Sequence, residues 1–392
     1  MQGDAAMKNF IYSIPTTVYF GKGQIENLGQ AVTAYGNKAL LVYGGGSIKR
    51  NGIYDKVTSL FSESGISWEE LSGVDPNPRI DTVRAGAELC KRNGIEVVVP
   101  IGGGSSIDCA KVIAAAACYD GDAWDLVLDS SRMKTALPIV TVLTLAATGS
   151  EMDHIAVISN METNDKIGTR ADCLRPKAAI MDPTYTETVS AYQTASGTAD
   201  IMSHTLESYF SNAEGYMQDR MAEGILKTCI EFGVRAVEYP DDYEARANLM
   251  WAGSWAINDF LKLGKPVPWS VHPMEHELSA YYDITHGVGL AILTPHWMRH
   301  VLCDRTVEKF RTYAVNVWGV SGELPPYEAA QAGIEKTAEY FKKLGLPAHL
   351  SEAGIPDDEK FGIMAEKAAK KLKGAYAELS AEEVEQIFRE AM

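Results

Sequence analysis

Short apolar runs alternate with amphipathic segments along the first half of the chain. Runs such as Leu40-Leu41-Val42 and Val97-Val98-Val99 are typical of parallel strands that are buried on both faces. Between the runs, apolar residues recur at helical spacing, and glycines stand where helices are expected to end. The pattern predicts strands over residues 17–20, 39–43, 96–101, 139–145 and 178–181 and helices over residues 24–35, 54–64, 80–93 and 108–118. This alternation predicts a doubly wound α/β domain.

The pattern changes near residue 190, where strand signals fade and longer helical patterns begin. Helices are predicted over residues 195–210, 217–239, 243–263, 327–344, 358–372 and 381–392. We therefore predict an α/β domain over residues 1–190 and a helical domain over residues 191–392.

The charge balance narrows the classes of partner. The 392 residues include 36 basic and 52 acidic side chains, for a net charge of −16. Such an acidic chain disfavours nucleic acid and anionic membranes as partners, and no apolar run approaches the roughly 18 residues of a membrane span. The six cysteines include no C-x-x-C pair, which argues against a disulfide framework or a thiolate zinc site. We expect a cytoplasmic protein with free thiols.

Two glycine-rich turns follow predicted strands, Gly44-Gly45-Gly46-Ser47 and Gly102-Gly103-Gly104-Ser105. Glycine lets backbone N–H groups approach an anion closely, and the helix predicted after the second turn adds unpaired N–H groups and a positive dipole end. One such turn is equally well explained as a tight strand-to-helix turn that binds no ligand. Two turns, with Thr148-Gly149-Ser150 after a third strand, favour a ligand that carries phosphates. Neither turn is a G-x-G-x-x-G fingerprint or a P-loop.

The end of the second strand bears on the choice of dinucleotide. An acidic residue usually binds the ribose at this point, but here the glycines are followed by Ser47, Lys49 and Arg50. Since nothing there repels a 2′-phosphate, the sequence leans weakly toward NADP(H) without excluding NAD(H).

A group of histidines and one aspartate suggests a metal site. His272, His276 and His286 lie close together in the sequence, and Asp200 precedes His204 by one turn of a predicted helix. A single D-x-x-x-H pair is usually a surface pair, but the cluster favours metal binding. Three imidazoles and one carboxylate suit Fe²⁺ or Zn²⁺. One of the histidines is then spare for proton chemistry, and the residue types alone leave open which one.

Two alternatives belong to other functional classes. The segment His272-Pro273-Met274-Glu275-His276 fits the H-x-x-E-H motif, in which both histidines bind zinc and Glu275 activates water. This interpretation, a zinc metallopeptidase, leaves the glycine turns, Asp200, His204 and His286 without a role. A non-catalytic metal- or nucleotide-binding protein is the other alternative.

From about Phe10 to the C-terminus, the sequence resembles the iron-containing (group III) alcohol dehydrogenases, and within them the butanol dehydrogenase branch. Residues 269–289, W-S-V-H-P-M-E-H-E-L-S-A-Y-Y-D-I-T-H-G-V-G, are similar to the second signature of the family. Residues 180–207, with Asp182-Pro183 and A-D-I-M-S-H-T-L-E, are similar to the first. The chain departs from the family at Ser190, where proline is common, and at His154, which is expected to bear on the substrate pocket.

The resemblance implies metal ligands at Asp200, His204, His272 and His286, with His276 as the spare imidazole near the nicotinamide. It implies cofactor contacts at Gly44, Gly45, Gly46, Ser47, Gly102, Gly103, Gly104, Ser105, Asp108, Thr144, Thr148 and Lys166. The implied fold is dehydroquinate synthase-like, with an α/β dinucleotide-binding domain and an all-α C-terminal metal-binding domain. Members of this branch commonly form homodimers.

These observations predict a metal-dependent NAD(P)H alcohol dehydrogenase or aldehyde reductase. It would transfer hydride reversibly between the nicotinamide and a small primary alcohol or aldehyde such as butanol or butanal. The predicted cofactors are NADP(H) or NAD(H) and one divalent ion, Fe²⁺ or Zn²⁺. In this hypothesis the ion acts as a Lewis acid on the carbonyl oxygen and His276 relays a proton.

Overall fold

The strands of the first half form a six-stranded parallel sheet and a separate antiparallel pair. In chain order the strands are β1 (Thr17–Phe20), β2 (Lys38–Tyr43), β3 (Ser67–Leu71), β4 (Val97–Gly102), β5 (Val140–Leu143), β6 (Ile155–Asn160), β7 (Asp165–Arg170) and β8 (Ala178–Met181). The computed structural model, which describes residues 7–213, 215–265 and 267–392, gives the strand order β1-β8-β5-β4-β2-β3. Strands β6 and β7 form a separate antiparallel pair.

Helices cover both faces of this sheet, which explains why its inner strands, β2, β4, β5 and β8, are almost entirely buried. They are α1 (Leu28–Thr33), α2 (Ser47–Arg50), α3 (Ile53–Glu63), α4 (Ile80–Asn93), α5 (Gly104–Ala116) and α6 (Ala123–Leu128). Alternate residues of β2 belong to opposite layers. Leu40 packs in one cluster with residues of α4 and α5, whereas Leu41 packs in another with residues of α1 and α3.

The second half of the chain is helical. Its helices are α7 (Ala191–Tyr209), α8 (Tyr216–Glu238), α9 (Tyr243–Ile257), α10 (His272–Tyr282), α11 (His286–Val301), α12 (Val307–Trp318), α13 (Pro326–Lys343), α14 (Phe361–Ala369) and α15 (Ala381–Glu390). None of the helices in the described residues is both long enough and apolar enough to cross a membrane. The predicted combination of an α/β part with a parallel sheet and a helical part is confirmed.

The chain divides into two compact units. The first, which we call the sheet unit, comprises Ser13–Val189 and Pro240–Ser254. The second, the helical unit, comprises Ser190–Tyr239, Trp255–Met392 and the described residues before Ser13. Residues 240–254 fall within the range that the sequence analysis assigned to the helical domain. The boundary between residues 190 and 191 stays a prediction.

The segment 240–254 joins the sheet unit through an apolar contact. Met250 of α9 packs in one cluster with Ile107, Leu143, Ala179 and Met181. These four residues come from α5, β5 and β8, and the cluster is almost completely buried. The contact explains why part of a helix from the second half of the chain groups with the sheet.

Several elements were not predicted from the sequence. Strand β3 is the edge strand beside β2, and its residues Ser67-Trp68-Glu69-Glu70-Leu71 are all partly or fully exposed. It therefore lacks the apolar run by which its neighbours were recognised. The β6–β7 pair reverses around Asn164, whose φ of 49° lies in the left-handed region. The amphipathic helix α12 was also missed.

Candidate metal centre and cofactor turns

Helix α7 carries the first two candidate ligands on one buried face. Ser190 begins the helix, since its hydroxyl accepts the N–H of Gln193 as an N-cap. Serine thus serves as a start signal where the family commonly has proline. Asp200 and His204 follow one turn apart and are 3% and 5% exposed. Oδ1 of Asp200 lies 3.7 Å from Nε2 of His204.

Helices α10 and α11 supply the other two candidates from their first residues. His272 begins α10 and is buried, with Pro273 in the first turn as the sequence predicted. His286 begins α11, and its Nε2 lies 3.7 Å from Oδ1 of Asp200. One donor atom from each of the four residues lies within 4.8 Å of all the others. A tetrahedral ion with bonds of about 2.1 Å holds its ligand atoms roughly 3.4 Å apart, so a small contraction completes the site.

The state of the imidazoles fits metal binding. The rings of His204 and His272 stack with their centroids 4.8 Å apart, and Trp269 packs against both. Burial, with the other histidines nearby, holds the pKa of His204 well below its usual range, so the ring stays in the neutral form that metals bind. Nε2 of His272 is buried and has no hydrogen-bond partner among the described residues. A bound cation would satisfy it.

Each of two candidate ligands contacts a buried carboxylate through its other ring nitrogen. Nδ1 of His272 lies 3.0 Å from Oε1 of Glu207, which is on α7 one turn after His204. Nδ1 of His286 contacts Oε2 of Glu275 on α10. Sequence reasoning missed both roles. The available signal was spacing, because each glutamate follows a candidate ligand by three residues on its helix.

His276 lies beside the four candidate ligands. Its ring centroid is 5.7 Å from that of His286 and 6.2 Å from that of His272. It is half-buried and, with Glu275 and His286, it makes a second group of neighbouring donor atoms. The structure thus brings together all five residues that the sequence singled out.

The peptidase alternative receives no support from this arrangement. Among the described residues, His272 and His276 fall in different groups of donor atoms. Glu275, the water-activating residue of that motif, is fully buried, and its two oxygens contact Ser279 and His286.

The predicted cofactor turns belong to the sheet unit, at the carboxyl ends of strands that pair with one another. Gly44-Gly45-Gly46 links β2 to the short helix α2, which Ser47 begins, and Gly46 has a φ of 85°. Gly102 ends β4, Gly103 follows it, and Gly104 begins α5, which Ser105 continues. The N–H of Thr144, directly after β5, donates to the carbonyl of Gly102. This edge of a parallel sheet is where nucleotides bind in doubly wound folds.

The two glycine turns differ in the space around them. A Cβ on Gly104 would lie 2.4 Å from Cγ2 of Thr148, so only glycine lets the second turn approach the third. A Cβ on Gly45 would meet nothing within 4 Å. The first turn is therefore open at Gly45.

Asp108 and Lys166 are the remaining predicted cofactor contacts, and Asp108 lies on α5 one turn after the second glycine turn. The carboxylate of Asp108 accepts hydrogen bonds from Ser150 Oγ at 2.6 Å and from the N–H of Val157 at 2.9 Å. These bonds tie α5 to the third turn and to β6. Lys166 lies on β7 and is buried. Contact of either residue with a dinucleotide stays a prediction.

Lys111 is a buried cation that sequence reasoning missed. Its Nζ is fully buried and donates to Asp153 at 2.5 Å, to Ser150 Oγ at 2.8 Å and to the carbonyl of Ile155 at 2.7 Å. Asp108, one turn earlier on α5, also bonds to Ser150, so Asp108 and Lys111 together hold the segment that follows Thr148. The signal was its position three residues after Asp108 on a predicted helix.

Lys49, which follows the first turn, is held by an acidic and aromatic cluster. Its Nζ lies 3.5 Å from Oε2 of Glu70 and 4.4 Å from the ring centre of Tyr54. Glu70 also accepts hydrogen bonds from the hydroxyl groups of Tyr54 and of Tyr43, the latter at 2.5 Å. Burial favours a higher pKa for Glu70, but hydrogen bonds from the two tyrosines and the charge of Lys49 together outweigh it and leave the pKa lowered. Lys49 thus forms an ion pair with Glu70.

His154 contacts Arg175. A guanidinium nitrogen of Arg175 lies 2.9 Å from Nδ1 of His154, and the other donates to the carbonyl of Met152 at 2.7 Å. This contact lies within the sheet unit. An effect of His154 on the substrate pocket stays a prediction.

Comparison with known proteins identifies the class to which this fold and site belong. The family model described as iron-containing alcohol dehydrogenase matches residues 15–183, and the one described as Fe-containing alcohol dehydrogenase family, C-terminal, matches residues 194–392. The chain belongs to the iron-containing alcohol dehydrogenase family.

Within that family the chain belongs to the butanol dehydrogenase branch. It is 58% identical to NADH-dependent butanol dehydrogenase A of Clostridium acetobutylicum, over 98% of this chain and 100% of that protein. It is 38% identical to the NADPH-dependent aldehyde reductase YqhD of Escherichia coli, over 89% of this chain and 90% of that protein. The crystal structure of NADH-dependent butanol dehydrogenase A from Thermotoga maritima is similar with a TM-score of 0.93 and 39% identity, over 98% and 99% of the two chains. The predicted class of enzyme, an iron-type alcohol dehydrogenase, is confirmed.

Proposed function

We propose that the protein interconverts small primary alcohols and aldehydes such as butanol and butanal, with NADH as the preferred dinucleotide and Fe²⁺ as the preferred ion. The four donor atoms that lie within 4.8 Å of one another carry this proposal. The similarity to NADH-dependent butanol dehydrogenases supports the substrate and the dinucleotide. Zn²⁺ suits the same set of donors and is the ion to compare.

Asp200, His204, His272 and His286 would hold the ion. One carboxylate and three neutral imidazoles leave a divalent ion with a net positive charge, which suits an oxygen that becomes negative during the reaction. When bound, the ion supplies Lewis acidity at the carbonyl oxygen and the dinucleotide supplies the hydride. The residues of this chain would fix the position of both, and the burial of the donors would limit the access of water to the ion.

The two glycine turns would hold the dinucleotide. The start of α5 offers unpaired N–H groups to a pyrophosphate, and the open space at Gly45 leaves room for the ribose end. Two observations support NADH over NADPH. Both relatives at 58% identity are NADH-dependent by name, and Glu70 lies beside Lys49, one of the two cations after the first turn that would attract a 2′-phosphate.

His276 would supply the proton. Reduction of an aldehyde adds a hydride to carbon and a proton to oxygen, so a proton donor is needed near the oxygen. Imidazole exchanges protons near neutral pH, and the His276 ring lies 5.7 Å from the ring of His286. In alcohol oxidation the same ring would accept the proton.

The test is an anaerobic assay of the purified protein loaded with Fe²⁺ or Zn²⁺. Butanal is mixed with NADH or NADPH, and the loss of the reduced nicotinamide is followed at 340 nm. We expect both NADH and NADPH to be oxidised, with a higher kcat/KM for NADH. Neither should be oxidised after treatment of the protein with a chelator. Oxidation that survives complete removal of the metal would refute the metal-dependent mechanism, and no oxidation with either dinucleotide would refute the activity.

We also propose, from the family resemblance, that the protein acts as a cytoplasmic homodimer. Light scattering during gel filtration would test the assembly, and a monomer at assay concentrations would refute it.

A further inference from the structure

We propose that Glu207 and Glu275 are positioning residues that fix which ring nitrogen His272 and His286 present to the metal ion. The inference rests on the proposed function, since it concerns the same four ligands. It adds two residues that do not bind the ion and that decide how tightly it is held.

Glu207 is held in place by backbone hydrogen bonds. Its buried carboxylate accepts the backbone N–H groups of Ser270, Val271 and His272 at 2.6, 2.8 and 2.9 Å. These groups lie at the start of α10, where N–H groups have no partner within the helix and where a negative charge is favourable. Glu207 thus holds α10 against α7 and sets the position of the first residue of α10, His272.

The same carboxylate sets the tautomer of His272. Oε1 of Glu207 already accepts the backbone N–H groups of Val271 and His272, so it acts as an acceptor toward Nδ1, which lies 3.0 Å away and therefore carries the hydrogen. In a neutral imidazole the lone pair then lies on Nε2. Nε2 is the buried atom of His272 that lacks a hydrogen-bond partner in the described part of the chain.

Glu275 does the same for His286. Its side chain is fully buried, Ser279 Oγ donates to Oε1, and Oε2 contacts Nδ1 of His286. Nε2 of His286 is the nitrogen that lies 3.7 Å from Oδ1 of Asp200. The three helices are therefore linked in sequence, since a glutamate on α7 orients a histidine on α10 and a glutamate on α10 orients a histidine on α11.

Carboxylates in this position raise the basicity of the ligand and hold its ring in place, and their loss weakens metal binding by about 10- to 100-fold. A glutamine retains an acceptor but lacks the charge, so we expect the smaller loss for Glu207→Gln and Glu275→Gln. Glu275→Ala removes the acceptor as well, and we expect the larger loss. The readout is the affinity of the metal-free protein for Zn²⁺, measured by competition with a chromophoric chelator.

The control is Glu277→Gln. Glu277 is another buried carboxylate of α10, but it pairs with Lys371 at 2.8 Å, and among the described residues it makes no hydrogen bond or ion pair with a histidine. Its variant should bind Zn²⁺ as the wild type does. Thermal unfolding of each metal-free variant checks the fold, and the two Glu275 variants decide the question if Glu207→Gln does not fold.

A second readout reports the tautomers themselves. In the protein loaded with Co²⁺, each ring N–H of a bound histidine gives a strongly shifted, exchangeable proton signal. We expect Glu275→Ala to lose or broaden one such signal and Glu277→Gln to keep them all. Folded Glu207 and Glu275 variants with wild-type Zn²⁺ affinity and unchanged signals would overturn the inference. A wild-type protein that neither binds Zn²⁺ nor oxidises NADH with butanal would refute the proposed function instead.

Discussion

Oδ1 of Asp200 lies 3.7 Å from Nε2 of His286, although the two residues belong to different helices of the helical unit. The same oxygen lies 3.7 Å from Nε2 of His204. These distances are too long for hydrogen bonds and close to the separation of two ligand atoms around one ion. The carboxylate of Asp200 is therefore the point on which the two imidazoles converge.

His286→Ala should lose metal and turnover together, because it removes one of four ligands. We expect the ion to be lost on dialysis. We also expect kcat/KM to fall by more than roughly 100-fold, the largest loss expected from substitution of a carboxylate that only contacts a ligand. Metal analysis and the 340 nm assay measure the two effects. His349→Ala, at an exposed histidine, is the control, and full occupancy in His286→Ala would contradict the four-ligand site.

His276→Ala should keep its metal and turn over slowly. General acid catalysis by a positioned side chain contributes about 10²- to 10⁴-fold, so we expect kcat for butanal to fall within that range. The pH dependence of kcat should lose the limb that reports the imidazole. A variant with unchanged kcat and an unchanged pH profile would remove His276 from the mechanism.

Gly45→Ala should weaken dinucleotide binding without loss of stability. Its φ lies outside the left-handed region and a Cβ meets nothing within 4 Å, so the fold accommodates the methyl group, which then occupies the space proposed for the ligand. We expect the KM for NADH to rise about tenfold, or roughly 1.4 kcal/mol, with an unchanged Tm. In the control Gly224→Ala, within α8 and also uncrowded, KM should stay the same and stability should rise by up to about 1 kcal/mol. An unchanged KM in Gly45→Ala would place the dinucleotide elsewhere.

Glu151→Gln should change how stability depends on pH. Burial raises the pKa of Glu151 to about 7, whereas the unfolded chain has the ordinary value near 4.3. The folded protein thus holds a proton that the unfolded chain releases, and stability attributable to this group falls as the pH rises from about 4 through 7. The variant cannot ionise, so its stability relative to the wild type should rise between pH 5 and pH 8 by about 3 kcal/mol at most.

Urea unfolding at several pH values measures this difference. The hydroxyl of Ser254 donates to Oε1 of Glu151, and the amide oxygen of glutamine would accept the same hydrogen bond. Any constant cost of the substitution cancels in the comparison between pH values. A difference that does not vary with pH would show that Glu151 is ionised in the folded protein.

Much of the fold could be predicted because strands that are buried on both faces, such as β2, β4, β5 and β8, require runs of apolar residues. The edge strand β3 carries no such run, because its side chains are partly or fully exposed. The packing of Met250 with the sheet unit also could not be predicted, because the sequence of α9 does not indicate which hydrophobic cluster the helix contacts.

The candidate ligands could be predicted because they are close to one another in the sequence. The roles of the two glutamates that contact His272 and His286 could not. Asp200 and His204 are one turn apart on one helix, and the signature around His272 and His286 is continuous in sequence. Glu207 acts on α10 and Glu275 acts on α11. The three-residue spacing from a candidate ligand places each glutamate near the site, but it does not show which helix the glutamate contacts, and its role depends on that contact. Lys111 was missed for the same reason, since its partners Ser150 and Asp153 lie beyond the next strand.

The return of residues 240–254 to the sheet unit means that neither unit can be excised as one uninterrupted piece of chain. A fragment that ends at residue 190 would keep every strand of the sheet but leave Ala179 and Met181 without Met250. Its newly bared apolar surface favours aggregation. A gene split near residue 190 would therefore yield two interdependent halves, each needing the other to complete its fold.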